Sequence, residues 1–165
     1  MNSDPQNIII TSANINDAKM ISEMLTPYVK LKIVLPRTPE DILSHLNNFL
    51  TARIKTADGK SSHLIGAVAL RNFGPELQEI RSLIVSPDYT KHGLGTRLIQ
   101  AAINLAKERH CKNIFALTLR PNLFTRIGFE IVPKEQFPQK VWADCSKCPK
   151  QDCCDEIAVK LPFSS

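Results

Sequence analysis

No apolar run in this chain approaches the roughly 20 residues that a membrane-spanning helix needs, so no membrane partner is expected. The N-terminus, MNSDPQN, has no basic stretch leading into an apolar one, and a secretory leader is therefore not expected either. The cytoplasm is the expected location. Aromatic residues are scarce, at 6% with one tryptophan and two tyrosines. The basic residues are scattered and form no block, so the aromatic-studded basic surface of an RNA-binding protein is missing. No nucleic-acid partner is expected. Internal repeats, low-complexity tracts and an interdomain linker are absent from the sequence as well. Acidic residues are the minority charge, 16 against 21 Lys and Arg, which leaves a net charge of +5. With nucleic acid set aside, that excess suits an anionic cofactor or substrate.

What remains is the composition of one globular domain: 165 residues, 43% hydrophobic and 22% charged. Ile8–Thr11 is apolar and β-branched and predicts a first strand. Asn14 is placed to cap a helix running to about Tyr28, with Ala18, Ile21, Met24 and Leu25 on its apolar face. Pro36-Arg37-Thr38-Pro39 reads as a loop. Thr38 then caps a second helix with Pro39 in its first turn and Ile42, Leu43, Leu46 and Leu50 on its buried side. Strands are expected at Ala52–Thr56, His63–Arg71 and Leu77–Val85, joined by turns at Asp58-Gly59-Lys60 and Gly74-Pro75. Gly93–Arg109 is the clearest helix, with Leu94, Leu98, Ala101, Ala102 and Leu105 at helical spacing. A strand at Asn113–Leu119, a short helix at Pro121–Ile127 closed by Gly128, and strands at Phe129–Val132 and Glu156–Leu161 complete the order. Antiparallel hairpins followed by one strand-helix-strand crossover predict an α/β fold: a mixed, mostly antiparallel sheet with helices on both faces.

The stretch Ile80–Arg97, IRSLIVSPDYTKHGLGTR, carries the chemistry. An apolar strand ends at Ile84 and Val85, the chain turns through a short basic loop, and Gly93 and Gly95 open a helix. Glycines there let the backbone approach a ligand closely. The N–H groups around His92, Gly93, Leu94, Gly95 and Thr96 then form an anion cradle at the positive end of the helix dipole. Lys91 and Arg97 add charge. A glycine pair taken alone is equally a tight helix entry.

The residues around the pair raise its specificity. The segment resembles motif A of the GNAT (Gcn5-related N-acetyltransferase) superfamily, Arg/Gln-x-x-Gly-x-Gly/Ala after a strand ending in x-Val-x-Pro. Thr90 stands at the first position, a departure that removes one side-chain contact and leaves the backbone cradle intact. A dinucleotide-binding fingerprint fits less well, because its third glycine falls on Leu98. Phe124-Thr125-Arg126-Ile127-Gly128-Phe129 resembles motif B, Tyr-x-x-x-Gly-Phe. The resemblance implies the GNAT fold over a single domain spanning residues 1–165, acetyl-CoA as cosubstrate, a cofactor contact from Phe124, and a strand N–H near Ile84 or Val85 facing the developing oxyanion. It also places a general base at Glu79, since transfer to an amine requires the nitrogen to lose a proton. An ion pair between Glu79 and Arg81 is the competing reading of that residue. Phe124 occupies the place of the usual tyrosine acid, so the departing thiolate draws its proton from elsewhere.

Several longer strings are similar to those of short bacterial N-acetylglutamate synthases, the amino-acid N-acetyltransferases without a kinase domain. These are Leu35-Pro36-Arg37-Thr38, Glu79-Ile80-Arg81-Ser82-Leu83, Phe115-Ala116-Leu117-Thr118-Leu119-Arg120-Pro121 and Lys140-Val141-Trp142-Ala143-Asp144-Cys145. The implied reaction is acetyl transfer to the α-amino group of L-glutamate, the first step of arginine biosynthesis. Two carboxylates on the acceptor call for cations, preferably the bidentate guanidinium of arginine. Arg81 and Arg37 lead the candidates, followed by Arg120 and Lys140. A homodimer is compatible with this reading. The alternatives on the same fold are a protein or peptide N-acetyltransferase and a non-catalytic acyl-CoA sensor.

Four of the five cysteines crowd into the C-terminal segment 144–155. Cys145, Cys148 and either Cys154 or Cys153 have the partial spacing of a zinc site, with Asp155 or a His as fourth ligand, but no second well-spaced pair accompanies them. A disulfide and reduced, partly buried thiols are the other readings, and zinc is not the favoured one.

Overall fold

A computed structural model of the chain describes residues 8–30, 37–55, 62–136 and 157–163. Its elements are β1 (Ile8–Ser12), α1 (Asp17–Lys30), α2 (Pro39–Ser44), β2 (Phe49–Lys55), β3 (Ser62–Asn72), β4 (Gln78–Val85), α3 (Leu94–Glu108), β5 (Asn113–Thr118), α4 (Pro121–Thr125), β6 (Glu130–Val132) and β7 (Ile157–Pro162). The expected order and types hold throughout the described residues. The turn at Asp58-Gly59-Lys60 lies outside them. No helix among them is long and apolar enough to cross a membrane.

The strands form one seven-stranded sheet in the order β1-β2-β3-β4-β5-β7-β6. Only β4 and β5 run parallel; every other pair is antiparallel. One face carries α3 and α4. Leu94, Leu98, Ile99, Ala102 and Ile103 of α3 pack there on Ile65, Val68, Leu70 and Ile80, and Phe124 and Phe129 join them. The other face carries α1 and α2, whose Ala18, Ile21, Leu25 and Ile42 cover Phe49, Leu64, Ala67, Ala69 and Ile84. α3 lies close on the sheet because Gly66 has no side chain: a Cβ there would stand 3.0 Å from the Ile84 carbonyl and from Leu98 Cδ1.

Local chemistry explains the element ends. Asn14 Oδ1 accepts from the Asn16 N–H at 3.0 Å, and the Asp17 carboxylate accepts from the Asn14 N–H at 2.8 Å. This reciprocal cap starts α1. Thr38 Oγ1 accepts from the Asp41 N–H at 3.1 Å and starts α2. The second helix is shorter than its apolar spacing predicts. It stops at Ser44, where His45 leaves helical geometry with φ −124°, and Leu46–Asn48 tightens into a 3-10 turn. Leu50 therefore belongs to β2, opposite Val68, and Leu43 points to solvent. Pairing of β2 with β1 and β3 claims the chain from Phe49 onward and overrides the helical pattern.

Candidate active site

The parallel pair β4–β5 is barely a pair. Its ladder holds two rungs, Gln78–Ile114 and Glu79–Phe115, although β4 runs on to Val85 and β5 to Thr118. Between Ala67–Ile84 and Ala69–Arg81 the β3–β4 register slips, so Ser82 and Leu83 together oppose Val68. Ser82 takes φ 54° at this bulge. The bulge bends β4 away, and the sheet splits between β4 and β5 from Glu79 toward the carboxyl ends of both strands. Ligands of open α/β sheets bind at the carboxyl ends of the strands, and the split opens toward that end.

On the α3 side of the split stands the predicted anion cradle. The short basic loop expected after β4 forms a 3-10 turn at Pro87–His92, and Gly93 follows with φ 68°. That left-handed conformation favours glycine. A Cβ at Gly93 would meet nothing within 4 Å, so the backbone angle, not space, selects the residue. Arg97 N–H is bonded to the Gly93 carbonyl at 3.1 Å. The N–H groups of Leu94, Gly95 and Thr96 precede that bond, in the first turn where a helix has no acceptor of its own. Gly93 supplies no side-chain cap for them. A serine or aspartate at this position would cap donors that glycine leaves uncapped. Lys91 and His92 contribute backbone to the turn. Ile84 is buried on the opposite face and Val85 is half-buried beside α3.

Two predicted cradle residues have further duties. Arg97 donates Nη2 to the Ile8 carbonyl at 3.2 Å, which ties α3 to the edge strand β1. Phe124 is 3% exposed and meets Phe129 edge-on at 5.2 Å between centroids. It thus anchors α4 in the core, and the motif B position offers no hydroxyl.

On the α1–α2 side lies the candidate acceptor chemistry. Glu79 is 5% exposed and sits on the last rung before the split. Arg81, two residues along the same strand face, donates Nε to Glu79 Oε1 at 3.0 Å, and its Nη2 reaches the same oxygen. The ion pair foreseen as a competing reading is therefore formed, within the site and at its root. Arg37 lies on the same face. Its guanidinium is 5.2 Å from the Phe49 ring centroid and is paired with Asp41, while Ser22 Oγ donates to its carbonyl at 2.6 Å. Phe49 opposes Ala69, and Ala69 opposes Arg81. One cross-strand row thus leads from the ring under Arg37 to Arg81.

Arg120 lies elsewhere. It precedes α4 and lines an open depression of about 370 Å³ with Leu119, Asn122 and Arg126. Leu123 of the same depression reaches within 3.4 Å of where a Gly95 Cβ would stand. Arg120 and Arg126 therefore add positive charge beside the start of α3, on the α3–α4 face of the sheet. Arg126 was not singled out in the sequence, though its place inside motif B is a signal for it. Lys140, Cys145, Cys148, Cys153, Cys154 and Asp155 lie outside the described residues. Among the described residues no three His, Cys, Asp or Glu side chains gather into a metal site.

Residues 26–129 match the model of the acetyltransferase (GNAT) family. The chain belongs to this family. An uncharacterized N-acetyltransferase of Chlorobaculum tepidum is 36% identical to it over 150 residues, 91% of this acetyltransferase and 93% of that protein. The amino-acid acetyltransferase of Mycobacterium tuberculosis is 26% identical over 121 residues, 73% of the chain and 67% of the relative. Among solved structures, N-acetylglutamate synthase of Neisseria gonorrhoeae, complexed with coenzyme A and N-acetyl-glutamate, superposes with a TM-score of 0.80 at 24% identity over 96% of this chain. The acetyltransferase spans 35% of that longer protein. Fold and family thus agree with the split sheet and its glycine-opened helix.

Proposed function

We propose that this acetyltransferase moves the acetyl group of acetyl-CoA to the α-amino group of L-glutamate, as a cytoplasmic first step of arginine biosynthesis. The observation that carries the reading is the ion pair of Glu79 and Arg81 at the root of the β4–β5 split, opposite the uncapped first turn of α3. The similarity to the Mycobacterium amino-acid acetyltransferase and the Neisseria N-acetylglutamate synthase supports the acceptor class.

The chain's own groups divide the work as follows. The first-turn N–H groups of α3, with Lys91, Arg120 and Arg126 nearby, hold the pyrophosphate of acetyl-CoA. Its thioester then lies along the split. Arg81 and Arg37 hold the carboxylates of glutamate on the opposite face. Glu79 takes one proton from the acceptor's ammonium group. The freed lone pair attacks the thioester carbonyl, the C–N bond forms, and the C–S bond breaks with its electron pair on sulfur. N–H groups of β4 at the bulge stabilise charge on the carbonyl oxygen. Phe124 has no proton to give, so the thiolate takes the second proton, which the nitrogen sheds as the amide forms and water relays.

Turnover of acetyl-CoA across the free amino acids tests the reading. Glutamate is expected to be the preferred acceptor by at least tenfold in kcat/KM, because an amino acid without the second carboxylate forgoes a charge-assisted hydrogen-bonded pair worth about 1.5–3 kcal/mol. Turnover confined to another amino acid, to peptide N-termini, or to nothing would sink the assignment.

A further inference from the structure

Glu79 has a second cationic neighbour, which comes from a different strand. Arg71 on β3 is directly opposite Glu79 in the register. Residues paired this way across two strands leave the same face of the sheet with Cβ atoms about 5 Å apart. The Arg71 guanidinium lies over the Phe73 ring, 4.9 Å from its centroid. Phe73 in turn stands 6.2 Å from Phe115, the β5 residue level with Glu79. An aromatic shelf therefore carries this guanidinium at the closed root of the split.

The other charges on this face complete the setting. Beyond Phe115 the same row continues to Lys160 on β7 and Glu130 on β6. On the other flank Arg37 is paired with Asp41 over Phe49. Besides the apolar side chains that α1 and α2 lay on the sheet, α1 brings the buried Asp17, which is paired with Arg53 of β2. Glu79 is thus bonded to Arg81 along its own strand and stands level with Arg71 across the β3–β4 register, two cations at different depths of the split. β4 runs toward the cradle, so Arg81 lies about 7 Å further along the open part of the split than Glu79. Arg71 is level with Glu79, at the end where the strands are still joined. An acceptor carboxylate entering the open part meets Arg81 first.

The geometry points to Arg71 as a positioning residue for Glu79. It holds the carboxylate in place and ionised while Arg81 is handed over to the acceptor's carboxylate. The inference rests on the reading of Glu79 as base and Arg81 as acceptor clamp. Two arginines on one base then do separate jobs: one recognises the acceptor, and the other keeps the base ready once its first partner has left. In the free enzyme Glu79 has both cations, and in the acceptor complex it has Arg71 alone.

The test is the pH dependence of kcat and kcat/KM for glutamate in the full chain, compared among wild type, Arg71→Gln, Arg71→Lys and Arg81→Gln. Loss of a cation raises a carboxylate's pKa, by about one pH unit or more for a close partner. Arg71→Gln is therefore expected to move the acidic limb of both profiles upward, and further in kcat, which reports the acceptor complex, than in kcat/KM, which reports the free enzyme. Its KM for glutamate stays within about twofold while kcat falls. Arg71→Lys keeps the charge and is expected to leave the limb near its wild-type position. Arg81→Gln is expected to raise KM for glutamate instead. An unmoved limb in Arg71→Gln, or a rise in KM matching that of Arg81→Gln, overturns the role of Arg71. If Arg71→Gln does not fold, Arg71→Lys decides, because a limb displaced despite the retained charge also overturns it. Absence of glutamate turnover in the wild type overturns the acceptor assignment itself, a result that no Arg71 variant can mimic.

Discussion

Cys111, between α3 and β5, is 4% exposed, and its thiol donates to the Asn113 carbonyl at 2.9 Å. Burial pushes this thiol up from its ordinary value of 9.0. The native state therefore keeps its proton at a pH where the unfolded chain has lost it. The stability linked to this group is complete below the unfolded pKa and drains away as pH rises through the folded one. Cys111→Ala is expected to lose about 1 kcal/mol near neutrality and then to fall less steeply than wild type in alkaline solution. Denaturant midpoints measured across that range check it, and parallel curves would contradict it. The thiol of the folded protein is likewise expected to resist alkylation, since thiolate and access are both withheld. The site residues were unevenly legible at this scale. Glu79 and Arg81 stand in a recognisable string, and strand alternation places them on one face. Arg71 has no motif of its own. Counting outward from a hairpin centred on Pro75 places it opposite Glu79, so the information was in the turn and not in the residue.

At the scale of elements, helices were the most legible because a 3.6-residue period extends over many positions. α3 begins and ends within a residue of its expected bounds. The end of α2 was not legible, because Leu46 and Leu50 continue the helical spacing while β1 and β3 compete for the same chain. The bulge at Ser82 was also hidden. Nothing in Arg81-Ser82-Leu83 marks a left-handed residue, and the conformation follows from how β4 must bend between its two neighbours. The glycine-opened helix entry was legible from Gly93 and Gly95, and only the strings around them set it apart from an ordinary tight turn. Gly93→Ala is expected to cost about 1–2 kcal/mol for a side chain held at φ 68°, which lowers the melting temperature by several degrees. The same substitution is expected to raise KM for acetyl-CoA more than KM for glutamate. Calorimetry and initial rates measure the two effects, and a larger change in the glutamate KM would remove the cradle from cofactor binding.

For the whole molecule, strand order mattered more than any single strand. A mixed sheet with helices on both faces was legible from the sequence of hairpins and one crossover. The position of β7 between β5 and β6 was not, because an apolar run at the end of a chain does not say which edge it joins. Nor was the two-rung pairing of β4 and β5, which turns a continuous sheet into one with an opening. That opening connects two faces that the remaining strands keep apart. In the proposed reaction acetyl-CoA approaches from the α3 side and the acceptor from the α1–α2 side. Neither has to leave before the other arrives, and the acetyl group need not rest on the protein in between. Reciprocal plots of initial rates are expected to intersect rather than run parallel. Free coenzyme A is expected to compete with acetyl-CoA but not with glutamate. On this reading a gap between two strands is expected to set the kinetic order of the enzyme, a sequential mechanism with two separate doors.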